Sequence, residues 1–350
     1  MPGFPRHLNL LRALVLLALA IVAGEGASLL HVPLAWMIGP MLVATVFAVT
    51  GTRVDLPRQT RIAGQTIVAT AVGLQLTMDG VLAVSGLIPE MLAITLGSAA
   101  LAIGLAPLMF RIGRADKASS FFACVPCGPM EMAQLAEQGG GNGPLVGLVQ
   151  GLRIALVVLI VPASLQLAGV PIINIATQRH DLFIIGWMTL PAMILTAGAG
   201  ILARRVRMVS PFFLGPLAMA SVIALCVESP VEFPRFVIFA GQLMLGLSLG
   251  LSFDRDLLRG APRFVAASAL VTLISIAACS ALAWAIASFD GLPVATMVLA
   301  AAPGSVTEMS LTAQAMGLGV TMVTTFHIVR LFIIMPMSPL ALRFVRDRKV

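Results

Sequence analysis

The sequence predicts an all-α, polytopic membrane protein made of two inverted repeats, each with about five transmembrane helices and one Pro/Gly-broken re-entrant helix. Three observations carry this reading. Of 350 residues, 59% are hydrophobic and only 11% charged, against roughly 25% charged in a soluble domain. Apolar runs of about 20 residues recur from end to end, the length a bilayer core requires of a spanning helix. The chain also repeats itself. A shift of 177 positions lays Pro57, Arg58, Gly64, Gln65, Gly73, Leu74 and Asp79 on Pro234, Arg235, Gly241, Gln242, Gly250, Leu251 and Asp256. The same shift lays Pro126, Glu131, Met132, Arg153 and Pro162 on Pro303, Glu308, Met309, Arg330 and Pro339, and a shift of 176 lays Gly39-Pro40 on Gly215-Pro216. Residues 1–176 therefore form a first repeat and 177–350 a second.

In the first repeat the spans fall at about 8–29, 33–50, 60–78, 81–110 and 144–170, with a broken segment at 118–138. The opening run, "LNLLRALVLLALAIVAGEGA", has the Arg6 and Arg12 flank of a cleaved signal. Its partner "LFIIGWMTLPAMILTAGAGIL" in the second repeat assigns it to the unit instead. If the broken segment crosses, each repeat has six spans and "RRVR" (204–207) falls outside, with the basic loop 254–263. If it dips in and returns, each repeat has five spans, the second is inverted, and every strongly basic stretch is cytoplasmic, as the positive-inside bias favours. Both termini are then cytoplasmic, in a bacterial inner membrane, with Asp79, Glu228, Glu232 and Asp290 outside.

The broken segments read "ACVPCGPMEMAQ" and "AAPGSVTEMSLT". Prolines remove backbone donors and glycine permits a bend, so both stretches predict non-helical tips. The first limb, "KASSFFAC", has eight residues, about 12 Å of helix, and stops near the midplane. Beyond each tip a helix restarts, with Gly128 or Ser305 as N-cap and Glu131 or Glu308 three residues on. The glutamates are caps, or intramembrane ionisable groups lining a site and exchanging protons. Arg153 and Arg330 lie about ten residues into the next span, again near the midplane. They are partners of the glutamates that fix the hairpins, or ligands for an anionic substrate. Arg330, with His327 near it, is expected to be the more exposed of the two. Pro126, Gly128, Glu131, Arg153, Pro303, Gly304, Ser305, Glu308 and Arg330 make up the candidate site. Gln65 and Gln242 either line it or pack between helices.

Cys124 and Cys127 form a redox-like "CVPC" that the second repeat lacks, with Ala301 and Gly304 in its place. His7, His31, His180 and His327 have no metal-ligand spacing, so no metal and no cofactor are expected. His327 is read as a helix contact or a proton carrier. No catalytic triad or phosphate loop appears, and an enzyme is not expected.

The segments "PLAWMIGPML" and "SPFFLGPLAM", "GQTIVATAVGLQL" and "GQLMLGLSLGLSF", and "PCGPMEM" and "PGSVTEM" resemble the AbrB duplication family of bacterial inner-membrane proteins. Its members carry labels of ammonia monooxygenase or regulator of gene expression. More remotely, the family is similar to the cation:proton antiporter and anion transporter superfamily, which implies inverted five-helix repeats with broken helices. The function expected is a proton-coupled secondary transporter of a small anionic solute, bound at the midplane between the two broken helices. A non-transporting membrane regulator of gene expression is the alternative. Expected partners are the solute and the lipid bilayer, with no nucleic acid; a homodimer stays open.

Overall fold

The computed structural model describes residues 6–52, 54–76, 78–170, 188–227 and 234–347. Glu228, Glu232, His180 and the first part of the second repeat's opening run lie outside the described residues, as do the side chains of Arg6, His7 and Pro339.

Every regular element among the described residues is a helix. In the first repeat these are α1 (Arg6–Leu29), α2 (Ala35–Thr50), α3 (Arg58–Gly73), α4 (Met78–Ser85), α5 (Ile88–Gly113), α6 (Lys117–Cys124), α7 (Pro129–Gln138) and α8 (Gly143–Leu167). The second repeat has α9 (Thr189–Arg205), α10 (Pro211–Cys226), α11 (Arg235–Gly250), α12 (Arg255–Gly260), α13 (Pro262–Asp290), α14 (Val294–Ala301), α15 (Val306–Ala315) and α16 (Val320–Asp347). The duplication reaches the helix ends. α3, α6 and α7 recur as α11, α14 and α15 with both ends displaced by 177, and α2 recurs as α10 displaced by 176. Backbone strain recurs too: His31 and Leu34 before α2, and Arg207 and Ser210 before α10, all have left-handed φ of 45 to 56°.

Among the described residues five helices are long and apolar enough to cross a membrane: α1 from Leu11, α5, α8, α13 and α16 as far as Ser338; α3 and α4, if together they make one broken span, are a sixth. The sequence led to about ten spans. The span expected at 60–78 ends at Gly73, and α2, α10 and α11 are apolar but have 16 residues each. At 1.5 Å per residue that is about 24 Å, short of a core of about 30 Å.

The helices gather into two compact units, each drawing on both repeats. The first unit holds α1, α2, α3, α9, α10 and α11. α3 packs on α11, α2 on α11 and α10 on α3, and α1 and α9 flank α2 and α10, so the unit repeats about the α3–α11 crossing. Glycines permit these approaches. A methyl on Gly64 would meet the Gly241 carbonyl at 3.0 Å, and one on Gly39 or Gly215 would meet the backbone of α1 or α9 at 2.5 or 2.7 Å. Leu16, Ala20, Ala44, Val54 and Leu247 form a buried cluster, and Trp36 stacks on Phe239 with centroids 5.2 Å apart.

The second unit holds α5, α6, α7, α8, α13 and α14, most of α15 and nearly all of α16. α5 packs on α6 as α13 does on α14, and α5 and α13 pack on each other. The chain passes between the units at α4, after α8, at α12, near the end of α15 and at the start of α16.

Candidate functional site

The first broken segment begins and ends at one place. Asp116 caps α6, its carboxylate accepting from the Ser119 backbone N–H at 2.7 Å and the Ser119 hydroxyl at 2.6 Å. That hydroxyl accepts from the backbone N–H of Asn142 at 2.7 Å, and the Asn142 side chain accepts from Leu145 N–H to cap α8. A segment that crossed the bilayer would separate Ser119 from Asn142 by most of the core thickness. The segment is therefore re-entrant: α6 rises one limb, the chain turns, and α7 returns to where α8 starts.

The tip explains the buried arginines. A helix that stops leaves its last carbonyls without partners, and at a tip as buried as Val125 and Cys127 no bulk water serves them. Gln150 and Arg153, three residues apart on one face of α8, answer that need. The Gln150 amide donates to the carbonyls of Phe122 at 2.5 Å and Val125 at 3.0 Å. Arg153 donates through Nη1 to Val125 O at 2.7 Å and through Nη2 to Cys127 O at 2.9 Å. Pro126, between these carbonyls, has no N–H that would need a partner. The second repeat does the same: Arg330 donates to Ala302 O at 2.7 Å and Gly304 O at 2.5 Å, on either side of Pro303.

The sequence offered the glutamates as partners of the arginines, whereas the structure places the guanidiniums on the tip carbonyls. It also removes the expected difference in exposure, since Arg153 is 3% exposed and Arg330 4%. Both are sealed by the same two bonds. The two guanidiniums lie close enough for their charges to act on one another, and Cys127 lies within range of both.

The glutamates sit where the capping pattern places them. Gly128 is the N-cap of α7, with Pro129 and Glu131 in its first turn. The Glu131 carboxylate occupies the side of Gly128 where a Cβ would stand. In the second repeat Met309 N–H bonds to Ser305 O at 3.1 Å, so α15 starts under Ser305. The Ser305 hydroxyl donates to the Glu308 carboxylate. Glu308 is buried, whereas Glu131 is half-buried. Gly304 packs on Met309, 2.7 Å from where its Cβ would be.

Nine of the candidate residues thus share the second unit, around the two tips. Gln65 and Gln242 belong to the first unit, on α3 and α11, next to the glycines of the helix crossing. Sequence reasoning missed Gln150 and the Asp116, Ser119, Asn142 tie. The 177 shift lays Gln150 on His327, a polar residue in both repeats, and that was the available signal. Among the described residues no three His, Cys, Asp or Glu side chains are gathered as a metal ion would require.

A family model described as "Transition state regulatory protein AbrB" matches residues 36–346. A protein of Escherichia coli (strain K12) named "Putative regulator AbrB" is 24% identical over 336 residues, covering 95% of this chain and 95% of that protein. The "Uncharacterized protein YhjN" of Bacillus subtilis (strain 168) is 24% identical over 356 residues, covering 95% of this chain and 92% of that protein.

Proposed function

The chain belongs to the AbrB family, and on that premise we propose that it is a secondary transporter of a small anionic solute in the bacterial inner membrane, and not an enzyme. The observation that supports this most is the pair of arginine-held tips in one compact unit. Broken helices whose half-helix N-termini point at a midplane site are the device by which secondary transporters hold a solute. An anion is favoured because two positive helix ends and two guanidiniums, of which Arg330 acts on Arg153, give the region a positive potential. Glu131 and Glu308 stand in the first turns of the two half-helices that begin at these tips. The loop charges favour cytoplasmic termini.

The second reading, a membrane regulator of gene expression, is favoured by the family description and by the name of the E. coli protein. Proteoliposomes separate the two. Flux of a small carboxylate should collapse in Glu131→Gln and Glu308→Gln. A change in gene expression that survives both substitutions, with no flux in the parent protein, would favour regulation.

A further inference from the structure

The two hairpins are fastened unequally. Gln150 adds an amide donor to the first tip, and its counterpart, 177 positions on, is His327. His327 is 1% exposed. Its Nδ1 lies 2.9 Å from the Val323 carbonyl one turn back, the place of an N–H, while its buried Nε2 makes no bond of hydrogen-bond geometry, although the Ala302 carbonyl to which Arg330 donates also lies near the ring. Around it the second hairpin is polar where the first is apolar. Thr307, Ser310, Thr312 and Thr324 are all buried and stand where the first repeat has Met130, Ala133, Leu135 and Gly147. Ser310 and Thr324 bond to each other at 2.8 Å, tying α15 to α16. The hydroxyls tie helices together, whereas an ionisable imidazole buried among spanning helices is the kind of group that marks a solute or ion path.

We propose that His327 Nε2 is the proton-binding site of this protein, and that it takes its proton together with a small carboxylate bound at the second tip. With Nδ1 donating to Val323, neutral imidazole presents a bare lone pair at Nε2, where the first repeat has a donor. A proton there supplies that donor. It also sets a second cation one turn from Arg330, and because like charges at that range disfavour one another, an anion beside them favours the protonated imidazole. The anion brings the proton and the proton brings the anion, in a ratio of one to one. The charged group that acts on His327 is Arg330, and within range of Arg330 in turn stand Cys279 on α13 and Cys127 and Arg153 of the first hairpin.

This inference rests on the anion-transport reading, and its test does not need transport. The full chain, with His7, His31 and His180 replaced by Gln and 13C-histidine incorporated, is titrated from pH 8.5 to 5.5 with and without acetate, succinate or citrate. The imidazolium signal of His327 should grow when one of these carboxylates is added at neutral pH. In thermal-shift titrations of the unlabelled protein, affinity for that carboxylate should rise about tenfold per pH unit of acidification. His327→Gln should bind it with the same affinity at every pH. An imidazole that keeps one protonation state throughout, with and without all three carboxylates, overturns the proposal. So does pH-dependent binding that survives His327→Gln and vanishes in Glu308→Gln, which would give the proton to the glutamate. A titrating His327 in a protein without flux would leave the proton site standing and sink the transport reading.

Discussion

Arg330 repeats, 177 positions on, the bonds of Arg153: each spans two carbonyls two residues apart on either side of a proline. A guanidinium does this because its fork carries parallel donors at a fixed spacing, which an ammonium cannot match. Bonds of this kind to a charged donor contribute roughly 1.5–3 kcal/mol each, and a buried carbonyl left without one costs about 1–3 kcal/mol.

Arg153→Gln and Arg330→Gln should therefore each lower stability by about 2–4 kcal/mol, read as an earlier melting temperature in detergent. Lys variants should not restore it. Arg153→Gln should be the milder, because Gln150 still holds Phe122 and Val125. Equal losses would mean that Gln150 adds nothing to the first tip.

The ends of the first broken segment should be linkable. A Cβ on Gly141 would stand 2.8 Å from Ser119 Oγ, within the reach of a disulfide. With the four native cysteines replaced, Ser119→Cys with Gly141→Cys should cross-link on mild oxidation, and before oxidation it should melt earlier than the parent, because the Ser119 hydroxyl bonds are lost and the new Cβ stands 2.9 Å from Ser119 N. In a segment that crossed the membrane these positions would lie about 30 Å apart. No cross-link, from thiols that both react with a maleimide, would sink the re-entrant hairpin.

Much of this hairpin was legible in the sequence. "KASSFFAC" is α6 from end to end, because Asp116 caps its start and Val125-Pro126 stops it. The N-caps Gly128 and Ser305 were legible for the same local reason. What the arginines bind was not, since their partners are main-chain carbonyls, which every residue carries and no spacing reveals. Nor was the grouping of α1–α3 with α9–α11 apart from the remaining helices. A repeat shows which helices are copies, and packing decides which ones touch. The span expected at 33–50 exceeds the 16 residues of α2 because the apolar Pro33 and Leu34 run directly into its start.

The Gly-Pro pairs of α2 and α10 give a packing prediction. A Cβ on Gly39 would meet Ala23 O at 2.5 Å, and one on Gly215 would meet Ala199 O at 2.7 Å and Ala203 Cβ at 2.9 Å. Those neighbours are backbone and a methyl, which cannot swing away. Gly39→Val and Gly215→Val should each cost about 1–3 kcal/mol, with similar values because the sites are copies. Gly198→Ala on α9, with nothing within 4 Å of its Cβ, should be neutral or stabilising by up to about 1 kcal/mol. Thermal melts of all three check this, and a tolerant Gly39 would refute the close α1–α2 approach.

The last prediction turns on Gly128 and Ser305, which occupy the same place in the two repeats and hold their glutamates differently. Ser305 donates its hydroxyl to Glu308, whereas Gly128 leaves room for the Glu131 carboxylate over its own Cα. Ser305→Ala should cost about 1.5–3 kcal/mol, the scale of a bond to a charged acceptor. Gly128→Ala should also destabilise, by pushing Glu131 off its half-helix N-terminus and so weakening a cap, a loss of about 1 kcal/mol. A double-mutant cycle isolates the cause. In a Glu131→Ala background the methyl at position 128 meets no carboxylate, so Gly128→Ala should become neutral there. Should its cost stay the same in both backgrounds, Glu131 does not lie over Gly128, and the difference between the two caps is not what sets the glutamates apart.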